Sequence, residues 1–385
     1  MPYGIEVGYF MRHLLDKLSH LKTLIPQLIL VALIVWVFNH IAQNVHANLA
    51  ARGVKIGFAF LNDTAGFDII FHLIDYATIN NYWQVFWVGI LNTLLVAALG
   101  IFFASLFGFI VGFGRVSRNK IIALCSKGFV ETIRNIPLLL QLFFWYFVVL
   151  RGAPFPQDSI TIVESIYINN RGLYLPWPII TLYAAVLFTL SVVCILISLY
   201  LRHSKRTWRS YSIAIWLALA VIFFAIAHTE LTWEYPTLGK FNFVGGMNLI
   251  PEFLALVLAL STYTAAYIAE IVRMGIQSVS KGQYEAARSL GFAHYQSLRL
   301  IMLPQAMKVI VPPLTNQYLN LTKNSSLAAA IAFPDLVSVF AGTVLNQTGH
   351  AIEIIAMTMG VYLFISLCLS LIMILYERRS AWHSP

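Results

Sequence analysis

Glu285-Ala286-Ala287, then Gly291 six positions after the glutamate, then Leu303-Pro304, form the stretch whose residue types and spacing best fit a task. A carboxylate offers hydrogen bonds, two alanines let another surface come close, and glycine takes the left-handed backbone on which helices often end. Ser280 followed three residues later by Gln283 fits a reciprocal helix-start cap. The spacing predicts one short helix ending at Gly291 and a second, over about 294–303, stopped by Pro304. Such a pair docks closely against another surface, or lies as an interfacial helix on a bilayer.

A second group of residues is polar within long apolar runs. Such residues are costly in lipid, so they face a cavity or a partner. Glu270 shares a helical face with Tyr263 and Tyr267, and Thr264 lies about one turn before Tyr267. Glu270 fits either a substrate's ammonium group or an internal pair with Arg273. Asn316, Asn320, Lys323, Asn324 and Leu327 recur at helical spacing, a half-polar stripe that lines a pathway or bonds neighbouring helices. Gln141 shares a face with Arg134, for which Glu131 is a nearby counter-charge. These spacings give a candidate pathway of Glu270, Tyr267, Thr264, Asn320, Asn324 and Gln141.

What is missing narrows the chemistry. No Gly-x-x-x-x-Gly-Lys-Ser/Thr phosphate loop occurs; Gly239-Lys240 has Glu234 where the first glycine should stand. No His/Glu metal cluster and no nucleophile elbow is present. Cys125, Cys194 and Cys368 lie far apart without metal or disulfide spacing and fit as small packing residues. The pattern is that of a protein without its own catalytic site, and no cofactor is expected on this chain.

The elements that must position these residues are membrane spans. The chain is 59% hydrophobic and 11% charged, against about 25% charged for soluble domains. Runs free of Asp, Glu, Lys and Arg cover 23–51, 87–114, 178–201, 210–229 and 354–376. Three more, about 129–150, 253–272 and 309–331, carry one or two ionisable residues, giving eight candidate spans. With the N-terminus inside, 18 lysines and arginines fall on the cytoplasmic side, from Arg12, Lys17 and Lys22 to Arg378 and Arg379. Five, Arg52, Lys55, Arg151, Arg171 and Lys240, fall outside. That bias fixes the orientation and puts both termini in the cytoplasm. It also accounts for the net charge of +9 without nucleic-acid binding. Val45-His46-Ala47 resembles a signal-peptidase site, but the long leader and spanning apolar run fit an uncleaved anchor better.

The segment 88–377 resembles the amino-acid branch of permease subunits in binding-protein-dependent ABC importers. Three stretches carry the likeness beside the Glu-Ala-Ala loop: Arg134-Asn135-Ile136-Pro137-Leu138-Leu139-Leu140-Gln141, Thr264 to Arg273, and Lys323-Asn324-Ser325-Ser326-Leu327. Ile136 stands in place of the family's Thr and Met274 in place of a Gly. Ala293 replaces a helix-capping Ser or Thr, a loss of about 1 kcal/mol. The core is also interrupted over residues 151–250, as in permeases for general L-amino acids and for glutamate and glutamine. The resemblance implies an all-α polytopic protein of type I importer fold, a five-helix core with additions. The expected parts are 1–87 (lead, first span and external segment), 88–377 (importer domain) and 378–385 (cytoplasmic tail). Within the importer domain, 151–250 is an insertion with two extra helices and 275–305 the cytoplasmic coupling loop. It implies coupling through Glu285, Ala286, Ala287, Gly291, Leu303 and Pro304 to a separate ATP-binding subunit dimer that uses ATP and Mg. It further implies a second permease subunit, a periplasmic amino-acid-binding protein and an inner-membrane location. The rival is a secondary transporter driven by ion gradients, which predicts a repeat between halves and buried carboxylates.

Overall fold

The computed structural model describes residues 25–41, 43–44, 47–48, 57–179, 181–201, 209–229 and 232–381. The Val45-His46 motif and Arg12, Lys17, Lys22, Arg52, Lys55, Arg202, Lys205 and Arg206 lie outside the described residues. The first described helix, α1 (Ile25–Ile41), is apolar and exposed along its length.

Helix α2 (Tyr82–Arg115) begins where the Asn81 side chain accepts the Gln84 N–H at 3.1 Å. Its Gly100, Ala104, Gly108 and Gly112 recur every four residues and form one shallow face. A Cβ at Gly108 would come within 2.6 Å of Ile268, one at Gly112 within 2.7 Å of Val272, and one at Gly100 within 3.0 Å of Leu321. The small residues therefore set how closely α2 packs on α7 (Pro251–Gln277) and α10 (Leu303–Asn324). Helix α7 is the hub, with Leu256, Leu260, Ala265, Ile268 and Val272 almost wholly enclosed. Helix α12 (Ala351–Ala381) lies at the periphery and shows Leu363, Phe364, Leu367 and Leu371 outward.

Two of the expected spans are bent. The run expected over 129–150 is α3 (Lys120–Asn135) and α4 (Leu138–Leu150), meeting at 105°. Pro137 lacks an N–H and pushes Ile136 into extended backbone, so the helix stops there. The run expected over 309–331 continues as a 3-10 turn to Ile331, then bends by 52° into α11 (Leu336–Thr348), which the sequence reading left unassigned. Ala332 takes a left-handed turn at φ 58°, and Asp335 starts α11 by accepting the Ser338 N–H at 2.8 Å. Helix α2 satisfies the irregular backbone here: Asn92 Nδ2 donates to the Pro334 carbonyl at 2.8 Å, and Thr93 Oγ1 accepts the Leu336 N–H at 3.1 Å. Non-helical backbone at membrane depth survives only when protein groups pair it in this way.

The all-α expectation needs one correction. The described residues of 151–250 include α5 (Leu182–Leu201) and α6 (Arg209–Thr229), but also eight short strands. β1 (Ile160–Val163), β2 (Ile166–Asn169), β3 (Gly172–Leu175) and β8 (Met247–Leu249) form an antiparallel sheet in the order β1-β2-β3-β8. β4 (Trp177–Ile179) pairs β5 (Thr232–Glu234) at the foot of the α5–α6 hairpin. β6 (Thr237–Leu238) pairs β7 (Phe243–Val244). Isoleucine, threonine, tyrosine and leucine in runs of four between turn residues favour strand over helix. By length and composition α2, α7 and α12 can cross a membrane singly, and each bent pair can do so together. Apolar stretches of α1, α5 and α6 (Ile25–Ile41, Leu182–Ser198 and Ala214–Ile226) are shorter.

Candidate functional site

Helix α8 (Lys281–Ser289) hangs from the end of α7 by Ser278, Val279 and Ser280. Ser280 is its N-cap residue, yet its hydroxyl makes no capping bond. The Gln283 side chain is drawn away and accepts from Gln305 Nε2 of α10 at 3.3 Å, so the reciprocal cap is absent. At the other end, the Gly291 N–H donates to the Arg288 carbonyl at 2.9 Å and the Phe292 N–H to the Ala287 carbonyl at 3.1 Å. This paired closure needs the left-handed residue that Gly291 supplies at φ +83°.

Glu285 and Ala286 face outward, while Ala287 is 1% exposed. The expectation that both alanines form an open docking face is corrected: only Ala286 is available, because Ala287 is turned into the chain. Leu290 (78% exposed) and Tyr295 (65% exposed) flank the turn, an apolar surface beside Glu285. Tyr284 ties the segment to the turn between α2 and α3, its hydroxyl accepting from Arg118 Nη2 at 2.8 Å. Arg288 lies over the same ring at 6.0 Å.

The second short helix also differs from expectation. α9 (His294–Ser297) passes through a wide π turn, Leu298–Met302, straight into α10, so Pro304 does not stop it. The π turn shifts the bonding, with the Leu303 N–H reaching back to the Leu298 carbonyl, and this gives the proline ring room near the start of α10. Leu303 is half-buried and Pro304 exposed. The missing hydroxyl at Ala293 is partly offset, since its N–H donates to Gln296 Oε1 at 2.9 Å.

Deeper in the chain, both Glu270 carboxylate oxygens are engaged. Arg115 Nη1 lies 2.6 Å from Oε2 and Arg273 Nη2 lies 2.5 Å from Oε1. Arg273 also donates to Gln277. Of the two readings open for Glu270, the internal pair is the one formed, with Arg115 as an added partner the sequence reading missed. Arg134 is not neutralised by Glu131, which pairs with Lys127 at 3.6 Å. It lies instead over the Tyr267 ring at 5.0 Å, and the Tyr267 and Tyr263 hydroxyls are 3.1 Å apart.

Gln141 is 5% exposed and braces the α3–α4 break. Its Nε2 donates to the Ile133 carbonyl at 2.8 Å and the Ile136 carbonyl at 2.9 Å, two carbonyls at the helix end. Thr264 is 3% exposed and lies within the packed face of α7. Neither side chain lines an open channel of this chain.

The stripe on α10 is open. Asn316, Asn320 and Lys323 are exposed along one face, while Ile310, Leu314, Leu321 and Thr322 pack inward. Asn324 and Leu327 are half-buried, since the chain tightens into the 3-10 turn at Ser325. Leu321 meets α2 at Gly100, near the middle of that helix, which sets Lys323 close to the middle of the bundle. Among the described residues Lys323 forms no ion pair. An unpaired lysine at the centre of a lipid-facing helix costs about 3 kcal/mol, so this face meets water or another polar surface. Among the described residues no group of three metal-ligating side chains occurs.

Comparison with known proteins matches residues 104–382 to the family described as binding-protein-dependent transport system inner membrane component. The putative amino-acid ABC transporter permease protein YhdX of Escherichia coli is 50% identical over 366 residues, covering 92% of this chain and 93% of its own. The general L-amino acid transport system permease protein AapQ of Rhizobium johnstonii is 45% identical, covering 92% and 90%. The glutamate/glutamine/aspartate/asparagine transport system permease protein BztB of Rhodobacter capsulatus is 36% identical, covering 91% of each.

Proposed function

The chain belongs to the family of inner-membrane components of binding-protein-dependent transport systems, and from that premise we propose that it is the permease subunit of an ATP-driven amino-acid importer. The observation that carries the coupling role is α8 with its turn at Gly291: a short helix beyond the end of α7, with Glu285 and Leu290 exposed and Tyr284 tied to the α2–α3 turn through Arg118. A partner ATPase dimer that closes on ATP would push there, and the load would reach α7 and α10, the two helices that flank the segment. ATP and Mg belong to that partner. A periplasmic amino-acid-binding protein docks on the external strands, and a second permease chain covers the α10 face.

The topology that fits this role has eight spans, from the single helices, the bent pairs and α1, α5 and α6. Both termini and residues 275–305 are cytoplasmic. The importer domain is 88–377, preceded by 1–87 and followed by the tail 378–385. The passage runs past Asn320, Asn324 and Tyr267, with Glu270, Thr264 and Gln141 holding the helices around it. The names of the relatives support L-amino acids as the cargo class. An ion-driven carrier needs a carboxylate free to exchange a cation, and Glu270 is held by two arginines.

The test is reconstitution of the purified complex in lipid vesicles with a binding protein added inside or outside. Uptake of L-glutamine or L-glutamate that needs ATP on the side of residues 275–305 supports the assignment. Uptake that follows an imposed proton or sodium gradient without ATP overturns it.

A further inference from the structure

We propose that Lys323 is a binding residue for the carboxylate of the amino acid in transit, with Asn316 and Asn320 supplying amide hydrogen bonds on the same face of α10. The proposal rests on the importer reading above and names the chemistry of its passage. Three features meet at this place. The lysine lies two residues beyond Leu321, which packs on Gly100 near the middle of α2, so the charge sits near half-depth. Its side chain is exposed, and among the described residues it forms no ion pair. Asn320 and Asn316 are exposed one and two turns before it, a polar track rather than a lone charge.

A second permease chain is a poor source for the missing counter-charge. A partner built like this one offers carboxylates already engaged: Glu270 is held by Arg115 and Arg273, Glu131 pairs with Lys127, Glu252 accepts from the Tyr146 hydroxyl and Glu353 from the Gly57 N–H. Asp335 is fully buried, capping α11 at the Ser338 N–H. Two homologous chains meeting along α10 would set lysine against lysine, which is unfavourable unless an anion lies between them. The group every cargo amino acid brings is its α-carboxylate, and acidic ones bring a second. A lysine serves transit well because a flexible ammonium is a point charge without a fixed fork, so it can follow a moving carboxylate.

The experiment uses the assembled importer purified in detergent, with equilibrium binding of radiolabelled L-glutamine and L-glutamate measured without binding protein and without ATP. Lys323→Met and Lys323→Gln remove the charge; Lys323→Arg keeps it. Co-purification of the second permease and the ATPase reports assembly. The expected result is tenfold or weaker binding for the neutral variants and binding within threefold of wild type for Lys323→Arg. Equal loss for both amino acids identifies the α-carboxylate as the partner, and loss for L-glutamate alone identifies the side-chain carboxylate. Unchanged binding in an assembled neutral variant overturns the proposal. So does a complex that assembles with Lys323→Arg but with neither neutral variant, because the charge then serves the partner chain. Failure of ATP-driven uptake by the wild-type complex sinks the importer reading, and the binding measurement still reports on Lys323.

Discussion

Gly291 offers the sharpest perturbation of the coupling segment, because structure separates its backbone role from any packing role. A Cβ built there meets nothing within 4 Å, so a substitution costs only what the left-handed backbone at φ +83° imposes. That cost is about 1–2 kcal/mol for an ordinary side chain; a β-branched one is a genuine outlier there, and asparagine is better tolerated. Gly291→Val should therefore shift the closed turn by a factor of about 5–30 towards other conformations, opening the two hydrogen bonds from Gly291 and Phe292. Gly291→Asn should stay close to wild type. Neither change touches a span, so insertion and the amount of purified chain should not differ. In lipid vesicles with ATPase and binding protein present, Gly291→Val should lose most ATP-driven uptake, with ATPase detached or hydrolysing ATP without transport. Uptake by Gly291→Val equal to wild type, or equal loss in Gly291→Asn and Gly291→Val, would refute the claim that this turn geometry carries coupling.

Glu285→Lys reverses an exposed charge and should also uncouple hydrolysis from uptake, while leaving the chain's thermal unfolding unchanged; co-purification of the ATPase checks it. Single cysteines placed at Asp63, Gln157, Lys240 or Gln347 in a background lacking Cys125, Cys194 and Cys368 should label from the periplasm, and one at Gln283 should not. Gln141→Leu removes two hydrogen bonds from the α3–α4 bend, each worth about 1 kcal/mol net. Its unfolding midpoint should fall more than that of Asn320→Leu, whose residue is exposed, as read by thermal aggregation in detergent. Glu270→Gln leaves Arg115 and Arg273 without their carboxylate. It should lower stability more than Glu270→Gln adds to Arg115→Gln, a coupling that a double-mutant cycle on the same assay measures.

The parts of this fold that were legible in sequence are those set by solvent and by short-range chemistry. Apolar runs 87–114 and 253–272 announce α2 and α7, because a bilayer tolerates few other uses of such runs. Gly291 announces a helix end because a single residue type suits that backbone. The parts that were not legible depend on tertiary partners. Pro304 looks like a stop, but a π turn upstream supplies the slack that lets the helix pass. Pro137 ends a helix, but the 105° break is braced by Gln141 folding back on Ile133 and Ile136, which spacing alone does not show. The Asp335 cap after Pro334 was there to be read as a helix start. Its meaning, though, lies in Asn92 and Thr93, more than 240 positions earlier. Charges follow the same rule. Glu270 and Lys323 were equally suspicious as ionisable residues in apolar runs, and spacing offered only Arg273 as a partner for the first. Three-dimensional packing separates them by bringing Arg115 from α2 to Glu270 and nothing of opposite charge among the described residues to Lys323. A lysine with no ion pair among the described residues is the one whose chemistry is completed from elsewhere.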